Sequence, residues 1–354
     1  MSRTSLSAIK DPLEGITGIQ GDVARTALRA AFGANPIEAA SSVVGGITTA
    51  LTLRVQVGGR RYLLRVEGEP SPLRNPHQYE SMRIAAEAGI APRIHYMDDA
   101  ARVVVMDFIE QRPLRDYPGG SRDLVQALGE LLKRLQAAPV FPHFVDYPDI
   151  VGRLFAHVRR TGLFAAGLLD PHLEHLERIR QSYSSGMEPL VSSHNDAHPG
   201  NLLFDGRRLW LIDWESAYRN NAMVDLAVMI DSFAFSPELE AILAKTWLGR
   251  APDEAFYRRL STVRALTRLY YAGVFLSSSA ASRTCTAPDT DLSVPTREAF
   301  QQRVRDGAMK TSPRETIHTL GKMYLASFLS GDAVPGFGAA ISSMSAPEMA
   351  RSPE

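Results

Sequence analysis

Three polar residues near the middle of the chain have the types and spacing that phosphoryl transfer asks for. In SHNDAHPGNLLFDGRRLWLIDWE, Asp196 and Asn201 share one loop with Pro199 and Gly200 between them, and Asp213 ends the apolar run LWLI. Phosphoryl transfer requires a group that orients the attacking hydroxyl, and oxygen ligands for the Mg²⁺ that bridges the nucleotide phosphates. The runs LLF and LWLI flank the turn pair Asp205-Gly206 and read as a hairpin. A hairpin entered after Asn201 and left before Asp213 brings the chain back to its start, so the three side chains meet at one mouth. An amide and a carboxylate are hard oxygen donors that suit Mg²⁺. The segment has a second reading. His194, Asp196, His198 and Asp213 are also acceptable ligands for zinc or iron in a metallohydrolase. A kinase should tolerate His198→Ala, whereas such a hydrolase should lose its metal.

The surrounding elements decide what can be brought to that mouth. From Asp22, VARTALRAAFG has helical periodicity and ends at Gly33. ALTLRVQV then alternates, with Leu51, Leu53, Val55 and Val57 on one face and Thr52, Arg54 and Gln56 on the other. Gly58-Gly59 joins it to RRYLLRV, a strong signal for a tight hairpin in which Leu63 and Arg65 share a face. PHQYESMRIAAEAGI reads as a helix closed by Gly89 and Pro92, and RIHYM and RVVVMDF as two further strands. Beyond Pro113 the pattern is helical at 121–137, 147–162, 171–184, 222–233, 237–247, 253–277, 296–308 and 313–329, interrupted by the β segment at 191–212. The organisation expected is a leader with one helix (1–35), a small β-rich lobe (36–108), a large helical lobe (109–330) and a frayed tail (331–354).

Bulk composition narrows the partners. With 39 basic and 39 acidic residues the formal net charge is zero, which offers no general attraction to nucleic acid or anionic membrane. A single cysteine, Cys285, excludes an intrachain disulfide and a Cys-rich zinc site. No uncharged run reaches the roughly 20 residues of a membrane span, and the start lacks a secretion signal, so a cytoplasmic monomer or homodimer is expected. There is no Walker G-x-x-x-x-G-K-[ST] segment.

His194-Asn195-Asp196-Ala197-His198-Pro199-Gly200-Asn201 resembles the H-x-D-x-x-x-x-N catalytic loop of the aminoglycoside phosphotransferase and choline/ethanolamine kinase superfamily. Ile212-Asp213-Trp214-Glu215 is similar to its I-D-x-E segment, and Asp225 in VDLAV to the D-x-A that follows. The likeness covers about 36–330. It implies an α+β, bilobal protein-kinase-like fold, with a small antiparallel sheet carrying one helix and a large, mainly helical lobe. It also implies ATP and Mg²⁺ as cofactors and a small-molecule hydroxyl as acceptor.

The residues implied follow position by position. Asp196 would orient or accept the substrate proton, and Asn201 and Asp213 would hold Mg²⁺. His194 would brace the loop, and Asp225 would stabilise it through hydrogen bonds. Arg65 would contact the α/β-phosphates as a permanent cation, paired with Glu80. Gly45 and Gly46, with Thr48 and Thr49, resemble the family's phosphate-proximal loop. Met106 would control access behind the adenine, and backbone groups from Asp107 to Ile109 would bind it. Gln136 stands where many relatives carry His in the segment L-H-x-x-P. With Asp196, Asn201, Asp213, Arg65 and Glu80 all present, an active kinase is favoured over a catalytically silent nucleotide-binding module.

Acceptor specificity is less legible. Between Asp213 and Glu240 six acids stand against one base, Arg219, which points to a cationic acceptor such as an amino alcohol or amino sugar. Glu215 and Asp231 are the candidates for its ammonium group, with Tyr218 among the aromatic faces. Trp214, Tyr270 and Tyr271 are further candidate faces, although the spacing of Tyr270 and Tyr271 reads rather as core and partial surface.

Overall fold

The computed structural model describes residues 13–14, 16–43, 50–68, 74–183, 190–282, 287–306 and 313–331. Gly45, Gly46, Thr48 and Thr49 lie outside them, and so do residues 1–12 and 332–354.

The period-two runs form a five-stranded antiparallel sheet of order β1-β2-β3-β5-β4. Its strands are β1 (Ile37–Ser42), β2 (Leu51–Val57), β3 (Arg60–Val66), β4 (Ile94–Asp98) and β5 (Val103–Asp107). Gly58 and Gly59 both have positive φ (58° and 71°), the geometry of a two-residue primed turn whose twist matches the strands it joins. Alternation then separates two faces. Leu53, Val55, Val57, Leu64, Val66, Val103 and Val105 are buried on the outer face beneath Ala24, Ala27 and Leu28 of α1 (Gly18–Phe32). Leu63 and Arg65, opposite Met106 and Val104, point inward. The inner face packs on α2 (Gln78–Glu87) and continues into the core of the large lobe.

That lobe is built from α3 (Gly120–Gln136), α4 (Tyr147–Arg160), α5 (Asp170–Tyr183), α6 (Met223–Phe233), α7 (Pro237–Leu248), α8 (Glu254–Ala281), α9 (Arg297–Arg305) and α10 (Pro313–Ser330). The spine is α8, whose start is capped by the Asp253 carboxylate accepting from Phe256 N–H at 2.8 Å. It packs against α4, α6 and α10. A side chain at Gly321 would strike Leu276, so α10 can approach α8 closely only without one. MVDLAVMIDSF is apolar around nearly its whole circumference and is buried accordingly as α6.

Two small ribbons lie between the lobes. β7 (Leu202–Phe204) pairs with β8 (Leu209–Leu211), and β6 (Leu190–Ser193) with β9 (Tyr218–Asn221). The Asp205 carboxylate secures the first ribbon by accepting from the N–H groups of Arg207 and Arg208 and from Trp210 Nε1, each at 2.8 Å. Gln136 links helices, donating to Ala222 O and accepting from Trp247 Nε1.

Candidate active site

β6 delivers the chain to His194 and β9 carries it away after Tyr218, with the β7–β8 hairpin between them. The hairpin closes as its sequence requires, and Ile212 N–H donates to Asn201 O at 3.0 Å. Asp196, Asn201 and Asp213 therefore share one mouth. Asn201, in the single 3₁₀ turn Pro199–Asn201, donates its Nδ2 to Asp196 Oδ2 at 3.0 Å. With the amide nitrogen committed there, its Oδ1 is the atom left to serve a cation.

The loop is held from behind by buried polar groups. Asp225, wholly buried, accepts from Ser193 Oγ, His194 N–H and Asn195 N–H at 2.7–2.8 Å. Burial pushes its carboxyl up, against three donors that favour the ionised form. His194 donates from Nε2 to Ile212 O at 2.9 Å and packs on Trp214, so it acts as a brace. Asn195 was not singled out by the motif. It adopts φ 61° and links Ser216 O and Tyr218 O to Asn220. Its signal was its place between His194 and Asp196, but, apart from a 3.5 Å contact with Ser193 O, its side-chain partners lie 21 to 25 residues away.

Asp213 also has a positive φ, 63°, uncommon for a side-chain-bearing residue and tolerated best by Asp and Asn. This backbone turn aims the carboxylate back at the mouth. Its Oδ1 is buried, accepts no hydrogen bond, and lies 3.4 Å from an Arg65 guanidinium nitrogen. A buried carboxylate oxygen without a donor, beside the Asn201 amide, is a donor set that fits Mg²⁺. Among the described residues no three His, Cys, Asp or Glu side chains converge in ligand geometry.

Arg65 occupies the position expected of it but pairs differently. Its partners are Asp213 and Glu215, while Glu80 is exposed on α2 and makes no ion pair with it. The physical reason is the orientation of α2. That helix turns Tyr79, Met82 and Ser81 inward and Glu80 outward, while Asn75 Nδ2 and Ser81 Oγ both donate to Ala217 O, at 2.7 and 2.8 Å. A direct clasp on the segment after Asp213 replaces the expected Arg65–Glu80 pair.

Met106 is buried on the inner face beside Leu63. Of the backbone donors beyond it, Asp107 N–H is taken by Arg93 O and Phe108 N–H by Arg61 O. The Asp107 carboxylate is occupied by His95 Nε2 at 2.7 Å. The expectation of an adenine donor between Asp107 and Ile109 thus narrows to Ile109.

Two further side chains surround Asp196. Tyr271 Oη donates to Asp196 Oδ1 at 2.7 Å, and His198 Nε2 lies 3.5 Å from Oδ2. His198 Nδ1 accepts from Gly200 N–H at 3.0 Å, which leaves the proton on Nε2. Burial opposes ionisation of Asp196, but His198 and the Tyr271 hydroxyl outweigh it and hold the carboxyl below its ordinary value. Helical spacing alone had placed Tyr271 in the core, and nothing in the pattern showed which of α8's faces meets the catalytic loop.

Beside this mouth lies a cavity of about 70 Å³ lined by Tyr147, Tyr218, Tyr270, Phe144, Asn75 and Glu215, among others. The hydroxyls of Tyr147 and Tyr218 are buried there without a hydrogen-bond partner. Glu215 and Tyr218 therefore meet as expected. Asp231 does not join them, because Arg264 and Arg268 bracket its carboxylate and tie α6 to α8. Its charge is spent inside the lobe.

The model of the phosphotransferase enzyme family matches residues 42–260, which include Arg65, Asp196, Asn201, Asp213 and Glu215 but not Tyr270 or Tyr271. The chain belongs to that family. It is 22% identical over 215 residues to protein LicA of Haemophilus influenzae, a match covering 59% of this chain and 62% of LicA. A second match, 32% identical over 85 residues, spans 24% of this chain and 17% of a Metamycoplasma hominis protein. The chain thus spans less than two thirds of either relative's length. Among solved structures, a choline/ethanolamine kinase family protein from Mesorhizobium loti superposes with a TM-score of 0.59 at 20% identity. That superposition covers 92% of this chain and 99% of the other. The phosphotransferase family member therefore has the bilobal kinase-like fold. Among its described residues no helix is long and apolar enough to cross a membrane.

Proposed function

We propose that the protein transfers the γ-phosphate of ATP to the hydroxyl of a small cationic amino alcohol. The observation that carries this is one juxtaposition. Asp196, Asn201, Asp213 and Arg65 face a common mouth, and an aromatic cavity edged by Glu215 opens beside it.

Bound Mg²⁺ would neutralise charge on the phosphates, held by Asn201 Oδ1 and the Asp213 carboxylate. Arg65, pinned between Asp213 and Glu215, presents a permanent cation to the phosphates, and its Nε is buried without a partner. Leu63 and Met106 offer the apolar inner face to the base. Asp196 aligns the acceptor hydroxyl and takes its proton as the new P–O bond forms. The rings of Tyr147, Tyr218 and Tyr270 supply faces for an ammonium group, worth about 0.5–2 kcal/mol each when desolvated. Glu215 supplies the opposite charge when ionised; burial and the neighbouring Asp213 push its carboxyl up to about 7. The choline/ethanolamine kinase family name of the Mesorhizobium loti structure supports the same class.

The test is ADP release with Mg²⁺-ATP against amino alcohols, aminoglycosides, hydroxy amino acids and sugars, with Asp196→Ala alongside. Release that needs an amino alcohol and falls by at least about 100-fold in the variant supports the reading. Release driven only by sugars or aminoglycosides would discard the amino alcohol. ATP binding without release for any acceptor would favour a binding role.

A further inference from the structure

Among the described residues, Tyr271 is the group from outside the catalytic loop that hydrogen-bonds the Asp196 carboxylate, at 2.7 Å from Oδ1. The opposite oxygen, Oδ2, faces Asn201 Nδ2 at 3.0 Å and His198 Nε2 at 3.5 Å, both from the loop itself. The Asp196 carboxylate is therefore held from two sides by two different parts of the fold. The Tyr271 ring is 6% exposed and packed by Tyr270, Phe275 and Tyr324, so the phenol has no room to swing away. It stands on α8, the helix braced by α4, α6 and α10. The next residue towards the N-terminus, Tyr270, lines the acceptor cavity.

We infer that Tyr271 is a positioning residue that fixes the rotation of the Asp196 carboxylate, so that phosphate goes to the acceptor hydroxyl rather than to water. The inference rests on the phosphotransfer reading above. A carboxylate's terminal torsion is broad and roughly two-fold, so a carboxylate held at one oxygen alone keeps rotational freedom. Kinase transition states involve little bonding to the nucleophile, which makes alignment matter more than basicity. In the step itself the acceptor O–H breaks as its oxygen bonds to the γ-phosphorus. The proton passes to Asp196, and the bond from that phosphorus to the β,γ-bridging oxygen breaks to release ADP. Tyr271 keeps its own proton throughout, since burial holds its phenol well above the ordinary tyrosine value.

Tyr271→Phe keeps the ring and removes only the hydroxyl. With choline and ethanolamine as acceptor probes and Mg²⁺-ATP, kcat should fall about 10- to 100-fold. Acceptor KM and nucleotide affinity should stay within about two-fold, a split that marks an interaction made only in the transition state. Phosphorylated acceptor formed per ADP released should also drop. Phe275→Leu, which loosens the same ring cluster without touching the hydroxyl, should lower Tm and leave that ratio unchanged. Wild-type kinetics in Tyr271→Phe, or the same loss of ratio in Phe275→Leu, would overturn the inference. A wild-type protein that phosphorylates neither probe would count against the proposed acceptor instead. The contact can then be judged with ¹³Cζ-labelled tyrosine: the Tyr271 resonance, assigned by its loss in Tyr271→Phe, should move in Asp196→Asn. An unmoved resonance would overturn the inference without reference to turnover.

Discussion

The Asp196 carboxylate receives a hydrogen bond at each oxygen and meets an imidazole at Oδ2. The imidazole is not a bystander, as a tolerant His198→Ala would require. Its Nδ1 caps the turn at Gly200 N–H while Nε2 faces the carboxylate. His198→Ala should therefore destabilise the fold by about 1–2 kcal/mol in urea titrations, through loss of a cap and a charge-assisted contact. Glu215 is different, since one side faces the cavity and the other meets Arg65. Glu215→Gln should raise the KM of a cationic acceptor about five- to 50-fold while a neutral acceptor is affected far less, as parallel steady-state assays would show. The motif residues were legible because their spacing is imposed by chemistry within one loop. Tyr271, Asn195 and the misassigned Asp231 were not, because their partners lie across the fold, and Glu80 was not, because the packing of α2 turns it outward. Asp231 met two arginines on α8 that no local pattern tied to it.

At the level of elements, helices and hairpins with strong periodicity were legible to within a few residues, and two strands were not. IEAASS lacks alternation and is largely exposed as β1, and YRNN is a four-residue strand that exists only through pairing with β6. The same dependence on distant partners makes particular anchors testable. Asn75→Ala removes a buried donor to Ala217 O, which should cost about 1–3 kcal/mol by urea titration. Asp289 anchors the segment before α9, accepting from His318 Nε2 at 2.8 Å and Lys322 Nζ at 3.2 Å. Its backbone bonds Leu163 and Ala165. Burial raises its carboxyl, but the donors outweigh this and bring it below the ordinary value. A depressed carboxylate stabilises the fold above its unfolded pKa and loses that stabilisation as pH falls through the folded one. Asp289→Asn should therefore cost about 1–2 kcal/mol at pH 7, a difference that shrinks below about pH 4.

Across the whole molecule, nucleotide and metal should act as ligands of the folded state. At 100 times its Kd, ATP should add about 2.7 kcal/mol of stability, read as a rise in Tm. In Asp213→Asn the increment due to Mg²⁺ should vanish, while that of the nucleotide without metal persists. The clasp of Asn75 and Ser81 on Ala217 O carries the molecule's broader consequence. In protein kinases the helix of the small lobe holds its ion pair only when positioned by regulation, which makes that helix a switch. Here α2 is stitched by two hydrogen bonds to the stretch that follows Asp213, and its glutamate faces outward. Swinging α2 away would break both bonds and strand a buried carbonyl. On the proposed reading, a helix fixed in this way leaves turnover to follow the concentrations of the two substrates.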